Sequence, residues 1–321
     1  MADDDAASAR NGGGADPAPD DAHDSTPPDG RTSVAVITRN RRDSLLRTLD
    51  HLAALPEAPE IVVVDNGSTD GTATAVRAHR SGARLLEPGR NTGALGRNLA
   101  ARRITTPYVA FSDDDSWWAP GALRTAADLF DAYPRLGLVA ARTLVEPGRT
   151  EEPLDAVLAR SPLPRHGDLP GRPVLGFLGC AAVVRRTAFL QAGGYHQVLF
   201  FGAEETLLAY DLTALGWGVV YEPSVTAHHQ PGTAERPGRA TLLRRNALLT
   251  DWLRRPLPVA LRGTARLLYE TGRAEPGAAA ALRGTLTRLP SALRHRRKLP
   301  HRVEQAVRLL ERRANEEAVH P

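Results

Sequence analysis

Two acidic clusters are the residues of this chain best suited to chemistry. Asp113, Asp114 and Asp115 close the apolar run 107–112, and Glu204 and Glu205 follow the aromatic-rich stretch 200–203. Three adjacent carboxylates repel one another beside a buried strand. A hard divalent cation removes that penalty, because it takes oxygen ligands and bridges to phosphates. A solvated acidic turn is the other reading of the same three residues. A carboxylate after an aromatic stretch can sit partly desolvated, with its pKa raised toward neutrality, and can take a proton from a hydroxyl. His228 and His229 are adjacent on an extended run, so they point to opposite sides and one at most faces a site there. His228, two residues after Thr226, is the expected one. Cys180 lies in an apolar run and reads as inert core.

The elements that must position these groups alternate between strand and helix. Residues 33–38 form a short β-branched run that ends in the polar cluster Arg39, Asn40, Arg41 and Arg42. Leu45, Leu46, Leu49 and Leu52 then recur at helical spacing, with Asp43 or Ser44 placed to cap that helix. A second strand over 60–64 ends in Asp65, Asn66 and Gly67, and a third is expected near 83–86. Asn91, Gly93, Gly96 and Arg97 open a further helix over 99–103. The strand that delivers the aspartates comes next. Such alternation predicts an α/β fold, a mostly parallel sheet flanked by helices on both faces. Ligands of such sheets bind beyond the carboxyl ends of the strands, where each polar cluster falls. Glycines there let backbone approach a ligand, and Arg39, Arg41 or Arg97 could meet a pyrophosphate. No dinucleotide glycine fingerprint follows the first strand, and Lys298 is the only lysine, so there is no phosphate loop.

Four segments in order, 36–41, 62–71, 91–98 and 111–115, resemble the successive motifs of glycosyltransferase family 2. The resemblance covers residues 31–235. It implies the GT-A fold and an inverting, metal-dependent transfer of a sugar from a nucleotide diphosphate sugar (UDP, GDP or dTDP type) to a hydroxyl acceptor. The donor-binding residues it implies are Thr38, Asn40, Arg41, Asp65, Gly67, Gly93, Arg97, Asp113 and Asp114. Among these, Asp65 would contact the base and Asp113 the ribose side, whereas Asp114 is alternatively a structural turn residue. Mn2+ or Mg2+ would be held by Asp115 and Asp113 with His228. The general base falls in the pair Glu204 and Glu205. The family usually has Glu-Asp there, so Glu205 occupies the aspartate's slot and the choice between the two stays open. Leu207 and Asp211 depart from the family's pattern and mark a divergent bacterial member. Two other classes share parts of this pattern: a nucleotidyltransferase, which would carry a basic glycine-rich loop, and a non-catalytic carbohydrate-binding relative, which would not keep these acids.

Composition adds boundaries. The chain has 321 residues with a net charge of +4, and arginine almost replaces lysine, as in GC-rich bacterial, actinobacterial genomes. One cysteine, no signal peptide and no spanning segment suit a cytoplasmic enzyme. Residues 1–30 carry eight acids against Arg10 and are expected to be a disordered leader. The expected enzyme domain divides into a nucleotide-sugar half, 31–117, and an acceptor half, 118–235. Residues 236–321 hold 19 Arg and Lys against 7 acids and read as basic helices over 240–252, 258–271, 277–289 and 300–317. These could contact a phosphate-bearing acceptor or the anionic inner face of the cell membrane, or form a solvated face. Arg244, Arg245 and Asn246 resemble an element of the family that closes over the donor diphosphate. No nucleic acid is expected as a partner.

Overall fold

The computed structural model describes residues 29–232 and 237–319, with side chains to residue 316. The expected leader lies almost wholly outside these residues, as does the expected boundary at 235. The elements in chain order are β1 (Thr32–Thr38), α1 (Arg42–Ala53), β2 (Ile61–Asp65), α2 (Thr72–Ala78), β3 (Arg84–Leu86), α3 (Leu95–Arg103), β4 (Tyr108–Asp113), β5 (Ser116–Trp118), α4 (Ala122–Ala132) and β6 (Leu136–Val145). There follow β7 (Thr150–Glu151), α5 (Pro153–Ala159), β8 (Arg172–Pro173), β9 (Ala182–Arg185), α6 (Arg186–Ala192), α7 (Glu204–Ala214) and β10 (Gly218–His229). Four long helices end the chain: α8 (Arg239–Arg254), α9 (Leu257–Gly272), α10 (Ala278–Arg294) and α11 (His301–Val319).

One mixed sheet runs in the order β3-β2-β1-β4-β9-β6-β10-β5. Its first four strands are parallel, as the strand–helix alternation requires. Beyond them β9 runs antiparallel to β4 and to β6, while β6 and β10 are parallel. All seven residues of β1 are buried, which makes it a central strand covered on both faces. Its side chains alternate accordingly. Val34 and Val36 pack with Leu45, Leu49 and Leu52 of α1 and Phe130 of α4. Ala35 and Ile37 pack on the other face with Ala100 and Ala101 of α3 and Phe189 of α6. Each buried Val, Ile or Phe contributes about 1.5–3 kcal/mol.

Local details differ from the sequence expectations for physical reasons. Asp43 and Ser44 lie inside the first turn of α1. The Arg42 N–H at the start of that helix donates instead to Asp70 Oδ2 at 3.0 Å, a cap supplied from the neighbouring loop. The glycine-rich run 176–181 is loop, and the strand begins only at Ala182. Helix α6 ends on Gly193 in the left-handed conformation, as expected of a glycine C-cap. Helix α10 continues past Pro290 to Arg294. Helices α8, α9 and α10 share a core of their own around Leu249, Leu253, Leu267 and Ala281. Arg254 ties α8 to α7 through a paired contact with Asp211, Nη2 to Oδ2 at 2.8 Å. Among the described residues no helix is long and apolar enough to cross a membrane.

Candidate active site

The carboxyl ends of β1, β2 and β4 open on a cavity of about 380 Å3. Thr38, Arg39 and Arg41 line it from β1 and the turn after it, Asn66 from β2, Asn91 and Gly93 from the loop before α3, and Asp113, Asp114 and Asp115 from the end of β4. Register explains the convergence, since Thr38 pairs with Asp65 and Ile37 with Asp113. Asn66 staples two of the loops together. Its Oδ1 accepts from the Thr92 N–H and hydroxyl, and its Nδ2 donates to the Gly93 carbonyl at 3.2 Å.

The three aspartates have three different environments. Asp113 is partly exposed and ion-paired with the buried Arg97. Asp114 faces inward. It accepts from the Thr38 hydroxyl at 3.0 Å, pairs with Arg41 Nε at 2.7 Å, and its own carbonyl accepts from the Thr48 hydroxyl. Burial pushes its pKa up to about 7 against the pull of Arg41. This carboxylate fixes the turn, although it also borders the cavity. Asp115 is almost completely buried, accepts from Arg41 Nη2 at 2.9 Å, and has His229 Nε2 3.6 Å from Oδ1.

His228, the histidine expected here, points away. It shares a hydrogen bond of 2.8 Å with Glu146 and stacks on Trp117, which in turn stacks on His51. The cause is the register of β10 on β5. His228 opposes Trp117 and His229 opposes Ser116, so the indole takes one histidine and leaves the other to Asp115. Trp118 is core.

Of the remaining expected donor residues, Asp65 is buried at the end of β2, with Oδ1 accepting the Ser68 N–H at 2.9 Å. Asn40 has a left-handed backbone and its Oδ1 accepts the Thr69 N–H at 2.7 Å, so it builds the 67–70 loop and borders an adjacent surface cleft instead. Gly67 packs against the backbone of Arg90 and does not line the cavity. Gly93 is indispensable to the wall: at φ +59°, an added Cβ would lie 2.4 Å from the Phe200 carbonyl oxygen. That carbonyl accepts the Ala94 N–H at 2.8 Å, so the 199–203 loop is seated on the Gly93 turn.

This loop carries the second acidic cluster. Phe200 and Ala203 both adopt positive φ without being glycine, strain of a kind that collects at functional sites. Glu204 and Glu205 follow as the first residues of α7, whose N-terminal dipole favours negative charge. Burial nevertheless dominates, raising Glu204 to about 8 and raising Glu205 as well. Glu204 is 2% exposed, with Oε1 4.0 Å from Arg97 Nη1. Glu205 is half-buried and reaches the space over Gly179, where an added Cβ would lie 2.8 Å from its Oε1 and 3.3 Å from Arg97 Nη2. Arg97, itself 2% exposed and 5.5 Å from the Tyr195 ring centre, is thus the cation around which Asp113, Glu204 and Glu205 gather.

Phe200, Phe201 and Leu242 complete the cavity, and sequence reasoning did not find them as wall residues. The resemblance placed Arg245 and Asn246 over the donor diphosphate, and the structure turns both elsewhere. Rather than reaching toward a diphosphate, Asn246 Nδ2 donates to the carbonyls of Leu199, Phe201 and Gly202, and Arg245 Nη2 donates to Leu199. The element clamps the loop that leads to the two glutamates. Arg244 faces Glu270 of α9 at 3.6 Å.

The arrangement offers a cavity at strand ends with acids on one side and Phe200, Phe201 and Leu242 on the other, and a desolvated carboxylate pair beside it. Comparison with known proteins agrees. Residues 33–192 match the model of glycosyl transferase family 2. The chain is 29% identical over 276 residues to an N-acetylglucosaminyl-diphospho-decaprenol L-rhamnosyltransferase of Mycobacterium tuberculosis, a match that covers 73% of this chain and 90% of the relative. The fold is that of the mannosyltransferase PcManGT from Pyrobaculum calidifontis, solved with GDP-Man and Mn2+ (TM-score 0.56, 23% identity, 91% of this chain and 82% of that one). It is shared with residues 1–349 of S. aureus TarS, solved with UDP-GlcNAc (TM-score 0.58, 17% identity, 86% and 83%). With the four motifs gathered at the ends of the parallel strands, the chain belongs to glycosyl transferase family 2 and is a glycosyltransferase.

Proposed function

We propose that the protein transfers a sugar, with inversion, from a nucleotide diphosphate sugar to a hydroxyl of a lipid-borne acceptor, and that a divalent cation assists. The observation that carries this reading is the cavity at the ends of β1, β2 and β4, where Asp113 pairs with Arg97 and Asp115 stands beside Arg41 and His229. A buried carboxylate oxygen suits Mn2+ or Mg2+, a neighbouring imidazole nitrogen favours Mn2+ over the harder Mg2+, and such ions are commonly bound by few protein groups plus substrate phosphates. Among the described residues no three acidic, His or Cys side chains converge on one metal position, so the donor diphosphate would have to supply further ligands. Asp115 and His229 would hold the ion with Asp113 at the rim, and the ion would neutralise charge on the departing nucleoside diphosphate. In this reading Asn66, with Asp65 beside it, would meet the nucleoside, and Arg39 and Arg41 its phosphates.

Glu205 is our choice for the base. The residue is partly exposed, its pKa is raised by burial and its Oε1 stands over Gly179, whereas Glu204 is 2% exposed with Oε1 4.0 Å from Arg97 Nη1. A base must reach the acceptor hydroxyl, and a pKa near working pH favours the transfer. One proton leaves the acceptor oxygen to Glu205 as that oxygen bonds to the anomeric carbon and the diphosphate departs from the opposite side, which inverts the centre. The two glutamates titrate as a pair. A lipid-borne acceptor is supported by the likeness to a relative named for a decaprenol-linked sugar. The test is a thermal-shift panel of UDP, GDP and dTDP, each with and without Mn2+. One nucleotide should raise the melting temperature only with metal. No rise with any of them would remove the donor-site reading.

A further inference from the structure

We infer that the outer face of the α9–α10 hairpin docks on an anionic lipid surface. The face is built, not scattered. On α9, Ala260 and Leu267 point to the helical core, and Gly263 and Glu270 meet α8 at Leu248 and Arg244. On α10, Ala281, Thr285 and Ala292 point inward and Gly284 meets Arg245 of α8. At about 100° per residue these contacts place Leu257, Leu261 and Leu268 of α9, with Leu286 and Leu293 of antiparallel α10, together on the side turned away from α8. All five are exposed, Leu261 by 56% and Leu268 by 53%. A 16-residue helix gives the strip a length of about 24 Å.

Charge flanks the strip on both sides. Arg262, Arg266 and Arg273 lie on the outer flank of α9, and Arg283 and Arg294 on that of α10. The one acid within the two helices, Glu270, is turned toward α8 and paired with Arg244 and Arg266. A leucine strip bordered by arginines, with no acid on the same face, matches a bilayer interface: the leucines enter the acyl boundary and the guanidinium groups stay with anionic headgroups. Helix α8 joins the face to the chemistry, because its Leu242 lines the donor cavity while Arg244 and Arg245 touch α9 and α10. The inference stands apart from the identity of the donor or acceptor.

The test is flotation of the full chain with vesicles of phosphatidylglycerol and phosphatidylcholine, against phosphatidylcholine alone, at low and high salt. The chain should float with the anionic vesicles only and be released by salt. Leu261→Ser with Leu268→Ser and Leu293→Ser should weaken binding roughly tenfold or more. Arg262→Gln with Arg283→Gln and Arg294→Gln should do the same and flatten the salt dependence. Nucleotide-dependent thermal stabilisation should persist in both variants, which separates this proposal from the donor site. Absence of flotation with anionic vesicles, or flotation indifferent to the leucine changes, overturns it. So does a concentration-dependent dimer that the leucine changes abolish without any vesicle binding, because the face would then be a contact between copies.

Discussion

Replacing Arg97 by Met should destabilise the protein in a way that grows with pH. Methionine keeps the volume of the side chain and removes the charge. Arg97 is buried, ion-paired with Asp113 and 4.0 Å from Glu204. Removing one partner of a buried ion pair commonly costs about 3–5 kcal/mol. Two facts reduce that figure near neutrality. Asp113 is 30% exposed and keeps some solvation, and Glu204, pushed up to about 8, is mostly neutral at pH 7. A loss of about 2–3 kcal/mol is therefore expected at pH 6. A carboxyl whose folded pKa is raised stabilises the fold fully below its unfolded value of 4.5, and that contribution disappears as pH rises through about 8. Loss of the Arg97 charge raises the folded value further, so the variant suffers more where the wild type has begun to ionise. Between pH 6 and pH 9 the deficit should grow by roughly 1 kcal/mol or more. Guanidinium unfolding of both proteins at the two pH values measures this. A loss below about 1 kcal/mol, or one equal at both values, would refute the placing of Arg97 as the buried counter-ion of the two glutamates.

Other expectations follow from the same contacts. Glu204→Gln should reduce the alkaline loss of stability without abolishing it, because Asp114 and Glu205 are raised too, leaving the variant roughly 3 kcal/mol better than wild type at pH 9 relative to pH 5 in chemical unfolding; parallel pH curves would exclude Glu204 as a raised group. Gly179→Ala should keep the fold, since its Cβ would meet side-chain ends and no backbone, Glu205 Oε1 at 2.8 Å and Arg97 Nη2 at 3.3 Å. Its kcat should fall at least about tenfold with little change in donor KM, and an unchanged kcat would move the base away from Glu205. Asn246→Ala strips the donor from three loop carbonyls and should cost about 2 kcal/mol in unfolding free energy, with a lower kcat; full activity would mean that the clamp does not position the glutamates. His229→Ala should weaken Mn2+ binding in the presence of nucleotide, read by titration calorimetry, while His228→Ala should not. The reverse pattern would return the ligand role to His228.

The parallel half of the sheet was readable from sequence because each strand is a short, continuous β-branched run closed by polar residues, as with Val34 to Ile37 before Arg39. Asp113 and Asp115 were readable as cavity residues because strand ends of a parallel sheet share one edge. The antiparallel half was less so. Nothing in residues 176–185 distinguishes a loop followed by a four-residue strand from one longer strand, because both are apolar and glycine-led. The histidine facing Asp115 depended on which residue of β5 lies opposite, and a register shift between Glu222 and Thr226 makes counting along β10 unreliable. Asp114 was recognisable as acidic but not as internal. Its partners Thr38 and Thr48 are 76 and 66 residues away, and only the fold brings them together. The clamp of Asn246 on residues 199–202 is equally non-local, and a motif resemblance pointed its polar groups at the donor when they satisfy backbone carbonyls.

The central claim is tested most directly by titrating Mn2+ into the protein with its stabilising nucleoside diphosphate and comparing wild type with Asp115→Asn. The account predicts tight Mn2+ binding that requires the nucleotide and is lost in the variant, with the unfolding transition of the variant otherwise retained. Equal Mn2+ binding by both proteins, or binding indifferent to nucleotide, would contradict a cation site made by Asp115 and the donor diphosphate.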